Sequence, residues 1–267
     1  MRFCGTRIHF CSVEVSHDRS FSFVEVLYGK ICMSKYDEIK RRVYQCNMEL
    51  PRQGLVIYTF GNASAIDRDK GIIAIKPSGV NYDLLKPEDI VIVDLAGKIV
   101  EGKLNPSSDT KTHLVLYNHF SEIGGIAHTH STYAVAWAQA AKSIPILGTT
   151  HADHSHLDIP CTEFMTQEMI QGDYEIETGN QILETFKNLP YQEVEMVLVA
   201  GHGPFTWGET PEKAVYNSVV LEELAKIALL TLQIKFDVTK IDEALIRKHY
   251  LRKHGSNAYY GQIPKQR

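Results

Sequence analysis

A chain of 267 residues, 44% of them hydrophobic, is long enough for one large α/β domain with a well-buried core, and nothing in its composition divides it in two. Its 28 basic and 32 acidic residues leave a formal charge of -4, which argues against the broad positive footprint that nucleic acid or an anionic membrane surface requires. No apolar run reaches the length of a membrane helix, and the five cysteines form no C-x-x-C pair, so a cytoplasmic protein without a disulfide framework or thiolate zinc site is expected.

Residues 1–33 are read as an N-terminal extension or an upstream alternative start, because they hold Cys4, Cys11 and Cys32 and short alternating pieces without helical periodicity. The domain proper is placed at 34–267. Ser34 is a plausible N-cap, and Tyr36, Ile39, Val43, Cys46 and Leu50 recur at spacings of three and four, the pattern of an amphipathic helix. Leu55 to Phe60, Gly71 to Ile75, Ile90 to Val93 and Lys98 to Glu101 then read as short strands at hairpin spacing. Beyond them helices and strands alternate: helix from Asp109 to Phe120, strand from Ile123 to His128, helix from Thr132 to Lys142, strand from Val194 to Ala200. A long helix from Pro211 to Leu232 starts with Thr210 as cap and proline at its first position, and a last one covers Ile241 to Tyr250. The expected fold is a single α/β domain of the α+β type, with a central, mostly antiparallel sheet covered by helices.

The chemistry concentrates at His128-Thr129-His130, set directly after the apolar run Ile123–Ala127. On a strand, residues two apart project from one face, so one metal ion can take both imidazoles; on a helix the same rings would diverge by about 200°. His202 follows the apolar run Val197–Ala200 in the same way, between two glycines. Three neutral imidazoles suit zinc with a coordination position left open. Three small polar clusters also fall at element ends: Gly61-Asn62-Ala63-Ser64, Lys76-Pro77-Ser78-Gly79 and Ser107-Ser108-Asp109-Thr110. Each can serve as a turn or cap, and each can bind an anion; together with a metal site they point to a phosphorylated substrate. No G-x-x-x-x-G-K-[ST] or G-x-G-x-x-G run is present, which argues against a nucleotide. Asp153, in Thr149-Thr150-His151-Ala152-Asp153, could be an acid–base group, although such an aspartate alone is more often a turn-forming or capping residue.

The strings GNASAIDR, IKPSGV, PSSDT, GGIAHTHST, AWAQA, GTTHAD, IPCT, GDYEIETGN, HGPFTWG and KHYLRKHGSNAYYGQ run in order from about Tyr36 to Gln262. Taken together they resemble the L-ribulose-5-phosphate 4-epimerases of the class II aldolase group. The resemblance implies one zinc ion per subunit held by His128, His130 and His202, with Asp109 as the carboxylate member of the site. It implies substrate or phosphate contacts from Gly61, Asn62, Ser78, Gly79, Ser107 and Ser108. Asp153 and Tyr260 would be the acid–base pair, supported by His249, in a homotetramer with sites at subunit interfaces. The implied reaction is interconversion of L-ribulose 5-phosphate and D-xylulose 5-phosphate by cleavage and re-formation of the C3–C4 bond, in arabinose or L-ascorbate utilisation. Two departures stand out: His154-Ser155-His156-Leu157 where the group carries an aromatic pair, and the 1–33 extension. His154 and His156 repeat the His-x-His spacing, yet without carboxylates around them they are read as loop packing.

Overall fold

In a computed structural model, which describes residues 34–255, 258 and 259, the first expected helix forms as α1, Asp37–Arg52, and buries Val43, Cys46 and Leu50. The expectations for residues 1–33 and for Tyr260 lie outside the described residues. Tyr36, not Ser34, takes the cap position; Ser34 Oγ accepts from the Tyr36 N–H at 3.2 Å and donates to Glu101 at 2.6 Å.

Seven strands follow: β1 (Asn62–Asp67), β2 (Ile72–Ile75), β3 (Val91–Asp94), β4 (Ile99–Glu101), β5 (Gly125–His128), β6 (Met196–Val199) and β7 (Gly203–Gly208). They form one sheet in the order β4-β3-β2-β1-β5-β7-β6, every pairing antiparallel. The helices after α1 are α2 (Thr110–His119), α3 (Thr132–Gln139), α4 (Thr149–Ala152), α5 (Gln167–Gln171), α6 (Tyr174–Thr185), α7 (Pro211–Ile234) and α8 (Glu243–His254).

Successive strand residues face opposite sides of a sheet, and both sides here are covered. Ile72, Ala74 and Ile92 pack with Val43 and Leu50 of α1 and with Ala214 of α7. Their neighbours Ile73, Val91 and Val93 pack with Leu116 and Tyr117 of α2 and Ile182 of α6. β6 divides in the same way, sending Met196 and Leu198 toward Trp137 of α3 and Leu221 of α7, and Val197 and Val199 to the other side. The result is three layers that cover both faces of the central strands, which is why these read as continuous apolar runs, while edge strand β4 leaves Ile99 and Val100 exposed.

Several elements differ from the sequence reading, among them the short helices α4 and α5, which it does not contain. Leu55–Phe60 forms no strand; Tyr58 adopts a φ of 54° and Ile57 stands 61% exposed, so the run loops over the surface. The loop ends at Gly61, whose φ of +70° and close approach to His128, where a Cβ would meet the carbonyl oxygen at 2.7 Å, admit only glycine. The strand begins one residue later and carries its buried face on Ala63 and Ala65, too small to register as an apolar strand. β7 was hidden by its Gly-Pro start, and α6 by its mixed polarity and Gly179, where α2 approaches so closely that a Cβ would lie 2.7 Å from the Val115 side chain.

Candidate metal and anion site

The ends of β1, β5 and β7 stand side by side, with Asn62 registered on His128 and His128 on Phe205. That row builds the site. The His128 Nδ1–H donates to the Pro204 carbonyl at 2.9 Å, which leaves Nε2 with a free lone pair, and the ring stacks on Phe205 at a centroid distance of 4.2 Å. His130, exposed and two residues past the end of β5 rather than on the strand, brings its Nε2 to 3.0 Å from that of His128, too close for both atoms to carry protons. His202 sits in the turn joining β6 to β7, its backbone N–H bonded to Val199, and its ring centroid lies 4.7 Å from that of His128. The three potential ligand atoms all fall within 4.8 Å of one another. Just past the histidine pair, Glu222 of α7 accepts from the backbone N–H groups of Tyr133 and Ala134 at 2.9 Å each, anchoring the start of α3.

Burial, reinforced by its two neighbouring imidazoles, pushes His202 down to about 3, and burial followed by His128 lowers His130. Neutral imidazoles converging on one point are the donor set a divalent metal takes, and zinc fits it. Asp109 stands on the wall of the same cavity but outside the tight trio. Its Oδ2 accepts from the Asn62 amide at 2.6 Å and from Ser107 Oγ at 3.4 Å. Burial alone would raise its carboxyl; His128, His113 and the Asn62 amide outweigh that and hold it below the ordinary carboxylate range.

The three polar clusters, distant in sequence, meet here. Gly61, Asn62, Lys76, Ser78, Gly79, Ser107 and Ser108 line a cavity of about 400 Å³ together with Asp109 and the three histidines. The joins are local: the Ser107 N–H bonds the Lys76 carbonyl at 3.0 Å, and the Ser78 N–H the Asn105 carbonyl at 3.0 Å. Ser107 Oγ also accepts from the Asp109 N–H at 3.3 Å, so the turn role and the lining role coexist. Lys76, read from sequence only as a local charge, is 1% exposed. Its ammonium has no carboxylate partner among the described residues, only the Thr59 and Pro77 carbonyls at 3.4 Å and the Tyr82 ring at 4.7 Å, and burial pushes it down to about 8. A buried cation so poorly compensated favours an anion beside it. Asn62 Oδ1, buried without a partner among the described residues, is another open valence on this wall. Tyr174 and Glu175 complete the lining and were not named from sequence, since α6 was not read there; Tyr174 OH lies 3.4 Å from His202 Nδ1.

Asp153 and His249 fall elsewhere. Asp153 closes α4 and accepts from Arg252 through Nε at 2.9 Å and Nη2 at 2.6 Å, with His249 Nδ1 at 3.0 Å and Lys253 at 3.8 Å. His254 Nε2 lies 3.0 Å from the Asp153 backbone carbonyl. Burial would raise the Asp153 carboxyl, but Arg252 and His249 outweigh it and hold the group below its ordinary range. Neither Asp153 nor His249 lines the cavity; within one chain they clamp α8 to α4. The second His-x-His joins no metal-binding group among the described residues: His156 pairs with Glu193 at 2.7 Å and packs on Tyr250, and His154 faces Tyr216.

Comparison with known proteins gives the family and the fold. The family described as class II aldolase and adducin N-terminal domain matches residues 41–229. An L-fuculose 1-phosphate aldolase is 25% identical, with a TM-score of 0.68 over 81% of this chain and 95% of that one. A second, from Thermus thermophilus, is also 25% identical, with a TM-score of 0.57 over 76% of this chain and 98% of its own. YgbL from Klebsiella pneumoniae, 22% identical, shares the fold with a TM-score of 0.65 over 81% of this chain and 99% of that one. Among the described residues, no helix is long and apolar enough to cross a membrane.

Proposed function

This chain belongs to the class II aldolase and adducin N-terminal domain family, and from that premise we propose that it is a zinc-dependent L-ribulose-5-phosphate 4-epimerase acting in arabinose or L-ascorbate utilisation. The observation that carries the proposal is convergence: three imidazole nitrogens, one carboxylate, a buried lysine and three hydroxyl- and amide-bearing turns line one cavity of about 400 Å³. A head domain of the non-enzymatic, adducin kind has no need of the imidazole trio.

Inverting carbon 4 of a ketopentose phosphate by simple deprotonation is difficult, because that carbon is not next to the carbonyl and has no electron sink. Breaking the C3–C4 bond avoids the problem. A divalent metal held by His128, His130 and His202, with Asp109 at its side, would supply the Lewis acid that stabilises the charge left on the ketone fragment. Lys76, Ser78, Gly79, Ser107 and Ser108 hold the phosphate end, which keeps the aldehyde fragment in place while it turns its other face. Two acid–base groups are needed at the C4 oxygen, one for each epimer, and Asp153 and Tyr260 are assigned to that task with His249 in support. Because Asp153 and His249 stand outside this chain's own cavity, they serve a neighbouring subunit's site in the proposed homotetramer.

The aldolase outcome is the second reading, favoured by the 25% identity to an L-fuculose 1-phosphate aldolase. A product assay separates the two. With zinc present, L-ribulose 5-phosphate is expected to give D-xylulose 5-phosphate; accumulation of glycolaldehyde phosphate and dihydroxyacetone without the second pentose would make the protein an aldolase. Replacing both Ser107 and Ser108 with Ala is expected to raise KM for the phosphorylated sugar more than it lowers kcat, as loss of contacts equal in ground and transition states does. An unchanged KM would return these serines to capping.

A further inference from the structure

Asp109, the N-cap of α2, and His113 and Tyr117 within it recur every four residues and so line one face; opposite them on β1, Asn62 and Ser64 recur every two. The two repeats advance alike, about 6 Å for four helical residues and about 7 Å for two strand residues, so the stripes meet in rungs. Asn62 donates to Asp109, and Ser64 Oγ lies 2.7 Å from His113 Nδ1 and 2.8 Å from Tyr117 OH. His113 is completely buried. Its Nε2 has no hydrogen-bond partner among the described residues.

The protons in this chain of three can be ordered by counting. If Tyr117 donates to Ser64 and Ser64 donates to His113 Nδ1, one polar atom is left over, the Nε2–H. Either other order, with Nδ1 donating to Ser64, leaves both a hydroxyl proton and the Nε2 lone pair unpaired. The first order is therefore favoured, and it presents a buried N–H donor that would be costly to leave unmade. One turn back on the same helix face, Asp109 uses Oδ2 for Asn62 and Ser107, while its Oδ1 accepts no hydrogen bond among the described residues.

We propose that His113 is a positioning residue whose Nε2–H holds the free oxygen of Asp109 through one water, and so fixes that carboxylate beside the imidazole trio. This rests on the reading that Asp109 serves the metal site. Ser64 and Tyr117 set which nitrogen carries the proton, so the orientation of the site is anchored in the core.

Zinc affinity of the purified full chain, measured by competition with a chromogenic chelator, tests it without recourse to turnover. His113→Gln places an amide N–H near the Nε2 position and is expected to keep affinity close to wild type. His113→Asn can replace only the Nδ1 contact and is expected to weaken zinc about 10- to 100-fold, the scale for losing an outer partner of a metal site. In an Asp109→Asn background the Gln and Asn variants are expected to be equal, because the carboxylate they act through is gone. Equal affinity for the two variants in the wild-type background, or an undiminished difference between them in the Asp109→Asn background, would overturn the assignment. If Asp109→Asn itself leaves zinc affinity unchanged, the reading of Asp109 fails instead, which is a distinguishable result.

Discussion

His128→Asn is expected to lose zinc and turnover together, with turnover down by more than about a hundredfold, since even the loss of an outer partner of a metal ligand costs about 10–100-fold. The effect should exceed that of His130→Asn. His128 is buried, locked by its Nδ1–H on Pro204 and stacked on Phe205, so nothing else can swing into its place. His130 is exposed, and water can occupy the vacated position. Metal analysis of the purified variants beside the epimerase assay is the check: full zinc occupancy with wild-type turnover in both would remove the trio from the site.

The legible part of this site was the part written in local patterns. His-x-His after an apolar run points to a strand, and β5 does form, though it ends at His128 with His130 two residues beyond; α1, α2, α7 and most of the sheet follow from apolar periodicity of the same local kind. The three polar clusters were visible as turns, yet only the antiparallel pairing of β1 with β5 and the bridge between Pro77 and Pro106 bring them to one cavity. What stayed hidden depended on close packing. β1 buries alanines, β7 starts with Gly-Pro, and α6 uses a glycine to approach α2, so each lacks the bulky periodic residues that announce an element. Tyr174 and Glu175 were lost with α6. His113 was passed over for a different reason: a histidine inside a helix gives no local sign that a serine on a neighbouring strand will fix its proton.

Asp153 and Tyr260 carry the other large effect. Asp153→Asn and Tyr260→Phe are each expected to reduce epimerisation by at least about a hundredfold, the lower scale for losing a general acid or base. Zinc should stay bound in both, because neither residue belongs to the imidazole trio. The Arg252 fork and His249 hold Asp153 as an anion, the state that the proposed acceptance of the C4 hydroxyl proton of one epimer requires, with Tyr260 proposed for the other. The same ion pairs give Asp153 a second, separable duty, tying α8 to α4. Its carboxyl lies below the ordinary value in the folded chain, so the tie is fully present above the unfolded value of about 3.9 and is lost as pH falls through the lower folded value. Arg252→Ala removes most of the tie while leaving the carboxylate, and should cost far less epimerisation than Asp153→Asn if proton transfer is the main task. Each acid–base variant is also expected to retain some condensation of dihydroxyacetone with glycolaldehyde phosphate on one face only, so the two should yield opposite C4 epimers in excess. Wild-type epimerisation in both variants at full zinc occupancy would take the pair out of the mechanism; an Arg252→Ala loss equal to that of Asp153→Asn would leave Asp153 as a residue that seats α8 and the tail beyond it.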